Sequence, residues 1–175
     1  MNFFKKISVY IALIFFSHQT FLIAEIPYYV DFKLILNESE AGKKAQNFLK
    51  QKLENGIKEI KNKEKKLQDE EKKIIQQKKV ISSEEYKKKV TNLRKDVSKL
   101  QKERSQLLDS VAKQRTKARN TLLKNLNPII SEYMKENKIR MVIDKKSILL
   151  GDENLDITKD IMKALNSKLK SINLN

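Results

Sequence analysis

Leu53, Ile60, Leu67, Ile74 and Ile81 recur at every seventh position. They lie between Gly42 and Asn127, a stretch without proline in which Gly56 is the one internal glycine. A seven-residue apolar spacing keeps one narrow stripe on a helix and leaves the other faces polar. Leu49 and Ile57 add part of a second seam position, while Lys, Glu, Gln and Leu, all good helix formers, fill much of the rest. A long helix with a thin apolar seam is therefore predicted.

The rhythm breaks near "VISSEE" and returns as Tyr86, Val90, Leu93, Val97, Leu100, Arg104, Leu107 and Val111, in steps of four and three. If the chain reverses near Ser82, residues facing each other on two antiparallel helices have numbers that sum to about 164. Leu53 then meets Val111, Ile57 meets Leu107, Leu67 meets Val97 and Ile74 meets Val90. Ile60 with Arg104, Glu64 with Leu100 and Glu71 with Leu93 are the weak levels, where charged stems cover the seam and keep their heads in water. Ser82 and Glu85 fit a capping box, with Ile81 and Tyr86 at the hydrophobic-staple positions. The first arm, about 39 residues rising ~1.5 Å each, is roughly 58 Å long. So thin a seam predicts a marginal, flexible arm, most of all near Gly56.

Charge is confined to the same segment. Residues 43 to 125 hold 26 bases and 11 acids, a net of +15, whereas the rest of the chain after residue 24 comes to −1. One middle segment is thus the candidate for contact with something anionic. There is no cysteine, which excludes disulfides, thiolate metal sites and a cysteine nucleophile.

The first 24 residues place Lys5 and Lys6 before the apolar run Ile7 to Phe16, with Leu22 and Ala24 spaced as at the −3 and −1 positions of a cleavage site. We read a cleaved secretory signal; a retained N-terminal anchor is the alternative, and both export the remainder. Export without disulfides, from a chain with a small core, points to oligomerisation as the source of stability.

The flanks read differently from the arm. Ile26 to Leu36 is rich in aromatic and β-branched residues and suits a strand, with Pro27 at its start. Ile139 to Asp144 and Ser147 to Gly151 resemble a β-hairpin turning through Lys145 and Lys146. A helix follows, with Asp156 or Thr158 as N-cap and Ile161, Leu165, Leu169 and Ile172 on one face. The helical hairpin is then an insertion between strands of one small sheet. The expected architecture is mainly α with a small β body: 25–42 and 127–175 form the body, and 43–126 form the arm, with its tip near 80–84.

Two stretches carry a family resemblance. "YVDFKLILNESEAGKKAQ", residues 29 to 46, and the closing segment from Asn127 to Asn166 resemble the Skp (OmpH-like) family of periplasmic chaperones. Val142-Ile-Asp144, Ile148-Leu-Leu150 and Leu155-Asp-Ile-Thr158 are the specific part. The resemblance implies a jellyfish-like homotrimer in the periplasm, whose arms enclose a cavity for unfolded outer-membrane proteins and act without ATP.

On this reading the basic tip, Lys72, Lys73, Lys78, Lys79, Lys87, Lys88, Lys89, Arg94 and Lys95, is a collective attractor for clients, lipopolysaccharide or an anionic membrane surface. Tyr29, Val30, Met141, Val142, Ile143, Ile148 and Leu149 are the candidates for body core and oligomer contact. A coiled-coil spacer of the cell envelope and a basic nucleic-acid-binding protein are the alternatives; export and the paucity of arm aromatics, Phe48 and Tyr86, argue against physiological nucleic acid.

Enzymatic chemistry has little support, and no cofactor or metal is expected. Asp31 and Asp144 could form a carboxylate pair but are better explained as structural. Ser17 and the lone histidine, His18, fall in the signal; the glycines are isolated; and Met134, Met141 and Met162 read as core residues.

Overall fold

Asp31 decides the shape of the opening segment. In the computed structural model, which describes residues 26–174, the chain is extended only over β1, Tyr28–Val30, and then enters helix α1, Phe32–Glu38. Asp31 Oδ1 accepts the Leu34 amide at 2.8 Å and so caps the first turn. The strand expected over residues 26–36 is cut short because Phe32, Ile35 and Leu36 also fit the i, i+3, i+4 face of a helix, with Ile35 fully buried. The expected signal segment 1–24, with Ser17 and His18, lies outside the described residues.

Ser39 separates α1 from α2, Glu40–Gln77, and its Oγ accepts the Gly42 amide at 3.2 Å. A Cβ on Gly42 would stand 2.2 Å from the Leu36 carbonyl oxygen, so this close turn needs glycine. α2 has 38 residues and is ~57 Å long. After residues 78–82 the chain reverses into α3, Ser83–Glu136, with Ser82 Oγ accepting the Glu85 amide at 3.2 Å. The Glu85 carboxylate pairs with Lys89 at 3.2 Å rather than completing the capping box.

Cross-helix pairs keep close to the expected register: Lys52 donates to Ser110 and Gln114, and Lys63 to Glu103. The weak levels rearrange, since Arg104 pairs with Glu64 at 3.4 Å while Ile60 and Leu100 are buried. Ile57 and Val97, expected in the seam, remain 40% and 42% exposed, so it is thinner than their pairing implied. Gly56 does not interrupt α2; a Cβ there would lie 2.5 Å from Leu107, and its absence makes room for that side chain.

α3 runs on through Pro128 into the body. Pro128 cannot donate to the carbonyl one turn earlier, and burial of Leu126, Ile129 and Ile130 offsets the lost bond. The helix ends where Lys138 turns left-handed, φ 56°, with the Ile139 amide donating to Met134 O at 2.8 Å.

β2, Val142–Asp144, pairs parallel with β1, placing Tyr28 beside Val142, Tyr29 beside Ile143 and Val30 beside Asp144. The arm is therefore inserted between the two strands. The expected hairpin to Ser147–Gly151 does not form: Lys145–Ser147 is a 3-10 turn, with Asp144 accepting the Lys146 amide, and the following residues form a loop. The other edge of β1 meets Asp156 in a single bridge, and the Ile157 amide donates to Tyr29 O at 3.0 Å.

α4, Thr158–Lys168, begins after Ile157, which takes the position expected for Asp156 or Thr158. Asp156 still supplies the acceptor, bonding the Thr158 amide at 2.9 Å and the Thr158 hydroxyl. Ile161 and Leu165 are fully buried against Val30, Ile35 and Leu126 in the body core. Leu169 ends the helix, so Ile172 lies in an irregular tail rather than on its face. That tail returns along the arm base, where Ile172 and Leu174 join Ala45, Leu49, Val111 and Ala118.

Candidate functional site

The tip is made by two helix ends, so its lysines project in several directions from a thin stalk. Lys72, Lys73, Lys78, Lys79, Lys87, Lys88, Arg94 and Lys95 are exposed, and Lys89 is half-buried. Lys89 is tethered to Glu85 and to Gln77, the latter at 2.8 Å. Lys78 stands 5.9 Å from the centre of the Tyr86 ring, a cation–π contact that braces the reversal. The other seven have no ion-pair partner among the described residues, leaving their charge available to an external anion.

Apolar side chains are exposed along the same arm. Ile75 is 59% and Val80 80% exposed near the tip, and Leu108 51% lower down. The seam fails to cover them because two helices bury one stripe each, whereas the sequence carries apolar residues beyond it. Charge and loose apolar surface thus alternate along the stalk.

The body candidates divide. Tyr29 and Val30 are buried, Val142, Ile143 and Ile148 are half-buried, and Met141 and Leu149 are exposed, Leu149 at 95%. Met141, read as core, lies outside the core of this chain because β2 runs along an edge; Met134 and Met162 do pack against it. Asp31 and Asp144 each serve a local turn, and Asp144 also pairs with Lys146 at 3.2 Å.

Asp156 is the better-connected carboxylate. Burial alone would raise its pKa, but hydrogen bonds from Thr158 and Lys145 outweigh that and hold it below the usual carboxylate range. The Lys145 ammonium is raised by the same 2.9 Å bond to Asp156, and lies 5.6 Å from the Tyr29 ring. The Thr158 hydroxyl in turn accepts the Asp31 amide at 2.9 Å, so this cluster locks β1 to α4.

A further feature sits at the arm base. A cavity of about 600 Å³ is floored by Ala45, Leu49, Val111 and Ala118 and rimmed by Lys50, Arg115 and Arg119. The sequence held one sign of it: α3 has no acid between Asp109 and Glu132 but carries five bases there. Arg115 and Arg119, four positions apart, share a face of α3, but that this face borders a cavity beside α1 and α2 depends on how the helices pack.

Comparison with known proteins places this geometry. The family described as "Outer membrane protein (OmpH-like)" matches residues 28–165. A crystal structure from Caulobacter crescentus CB15, proposed to be an outer membrane chaperone (OmpH-like), is similar with a TM-score of 0.78 over 90% of this chain and 94% of that one, at 19% identity. No curated protein matches the sequence.

Proposed function

The chain belongs to the OmpH-like outer membrane protein family, and on that premise we propose that it is a periplasmic chaperone that holds unfolded outer-membrane β-barrel proteins without ATP and prevents their aggregation. One observation carries the reading: a long stalk presents unpaired cations together with uncovered apolar side chains, on a body with no comparable surplus of charge. Cations attract anionic segments, lipopolysaccharide or a membrane surface from a distance, screened within roughly 8 to 10 Å at physiological salt. Exposed Ile75, Val80 and Leu108 then supply weak, non-directional contact. A holdase needs such a surface, because a specific interface would select one client and release it slowly.

The working unit is a homotrimer built on the body, 25–42 and 127–175, from which the arms, 43–126, project around a shared space after cleavage of the signal. Exposed Met141, Leu149 and Leu150 supply apolar surface, and the outer edge of β2 supplies strand edge, for contact between copies.

Light scattering on residues 25–175, with and without a urea-diluted outer-membrane β-barrel protein, tests the reading. A trimer that takes up one client and keeps it soluble supports it; a monomer or long dimer indifferent to the client overturns it and favours an envelope spacer. Val142→Asp should dissociate the trimer, and an unchanged sedimentation profile would remove β2 from the interface.

A further inference from the structure

The apolar layer at the arm base, Ala45, Leu49, Val111 and Ala118, is largely buried, each residue 5–7% exposed, and is approached from two flanks. On one flank the chain's own C-terminal tail covers it: Ile172 and Leu174 pack on the layer, and Gln114 Nε2 donates to the Leu174 carbonyl at 2.6 Å. Lys44, Ala45 and Phe48 line that side. The other flank is not covered by the tail; there the half-buried Leu36 and Leu53 border the layer, and Gln46 and Lys50 reach it. Positions 44 and 48 lie ~160° around the helix from 46 and 50, so the flanks are opposite faces of one layer.

We infer that the uncovered flank is a docking groove for an extended polypeptide segment of alternating apolar and acidic residues, held as the tail is held on the opposite face. The inference rests on the chaperone reading and deepens it by naming where a client segment sits. Along α2 the groove extends from Gly42 to Leu53, ~17 Å at the helical rise, which is about five residues of extended chain. Alternate side chains of such a segment face Leu36, Leu53 and the edge of the layer between them. The side chains between them come within reach of Lys50, Arg115 and Arg119; Glu54 stands 3.9 Å from Lys50, so the two arginines carry the charge preference.

Arg115 and Arg119 have no partner among the described residues. The Asn47 amide is likewise unengaged, and Gln46 uses its Nε2 on Asn37 at 2.8 Å while its carbonyl remains available. These amides suit the backbone of an incoming strand as Gln114 suits the tail. That amide chemistry favours a polypeptide over a lipid.

The test uses residues 25–175 and a fluorescent, end-blocked nonapeptide alternating leucine with aspartate, carrying one benzophenone photocrosslinker. Anisotropy should report binding by the parent and at least tenfold weaker binding by R115E/R119E. A leucine–lysine peptide should show the reverse preference, and crosslinks should map to 42–53 and 111–122. Equal binding by parent and variant, or crosslinks confined to the tip, overturns the groove. So does a change of assembly mass in R115E/R119E, which would make the flank a contact between copies, or rim-dependent binding of phosphatidylglycerol vesicles without peptide binding. Suppression of β-barrel aggregation is scored separately on the parent: if it persists while the groove fails, only the groove is lost, and if the parent never suppresses aggregation, the chaperone reading fails.

Discussion

In the body, Val30, Ile35, Leu126, Ile161 and Leu165, drawn from one strand and three helices, are all fully buried. Along the arm beyond Leu53, the deepest residues, Ile60, Ile74 and Leu100, are isolated points on a seam flanked by exposed Ile57, Ile75 and Val97. The difference is geometric: several elements converge in the body and bury side chains from every side, whereas two antiparallel helices can shield only the line between them. One chain thus combines a locked body with a stalk whose surface stays largely exposed.

Matched truncations give the largest test of this contrast. Leu165→Ala should cost about 3 kcal/mol, the usual range for a fully buried leucine, while Leu67→Ala on the half-buried arm seam should cost less than about 1 kcal/mol. Urea unfolding followed by circular dichroism measures both, and equal losses would erase the distinction.

Asp156→Ala comes next. It removes the acceptor for Thr158 and Lys145 and should cost about 2 kcal/mol, as expected for hydrogen bonds to a charged group. Because the folded carboxyl sits below its unfolded value of about 3.9, its contribution is complete above that pH and is lost as pH falls through the folded pKa. Asp156→Asn should therefore flatten the acid limb of the stability curve. The raised Lys145 behaves oppositely: its contribution is complete below the unfolded lysine pKa and is lost as pH rises through the folded one.

At the tip the expectation moves from stability to binding. Replacing Lys87, Lys88 and Lys89 together by Glu should weaken capture of an unfolded β-barrel protein about tenfold in low salt, with little effect at high salt. Exposed Lys87 and Lys88 should contribute little to stability, so any loss should come from Lys89, whose ties to Glu85 and Gln77 the substitution breaks. Unaltered aggregation suppression would defeat the attractor.

The smallest change runs the other way. Lys138→Gly should raise stability by about 1 kcal/mol, since the left-handed backbone there suits glycine. A lowered unfolding midpoint would mean that the lysine side chain contributes more than its backbone strain costs.

The helical hairpin was legible in detail because its signals are local. Heptad spacing, the Ser82 cap and the 164 register all follow from which residues lie three, four or seven apart, and a helix repeats that geometry wherever it forms. The charge asymmetry was equally readable, being a property of composition. The body was less legible: residues 26–36 satisfied strand and helix patterns alike until the Asp31 cap resolved them, and residues 147–151 had the composition of a strand without a partner to pair with.

What the sequence by itself determined is the arm, its reversal and its positive charge. What only the tertiary structure decided is the parallel β1–β2 pairing across the inserted arm, the bridge from Tyr29 to Asp156, and the return of Ile172 and Leu174 to the arm base. Those choices depend on contacts between residues far apart in the sequence, where a short apolar stretch gains its conformation from the surface it meets and not from its own periodicity.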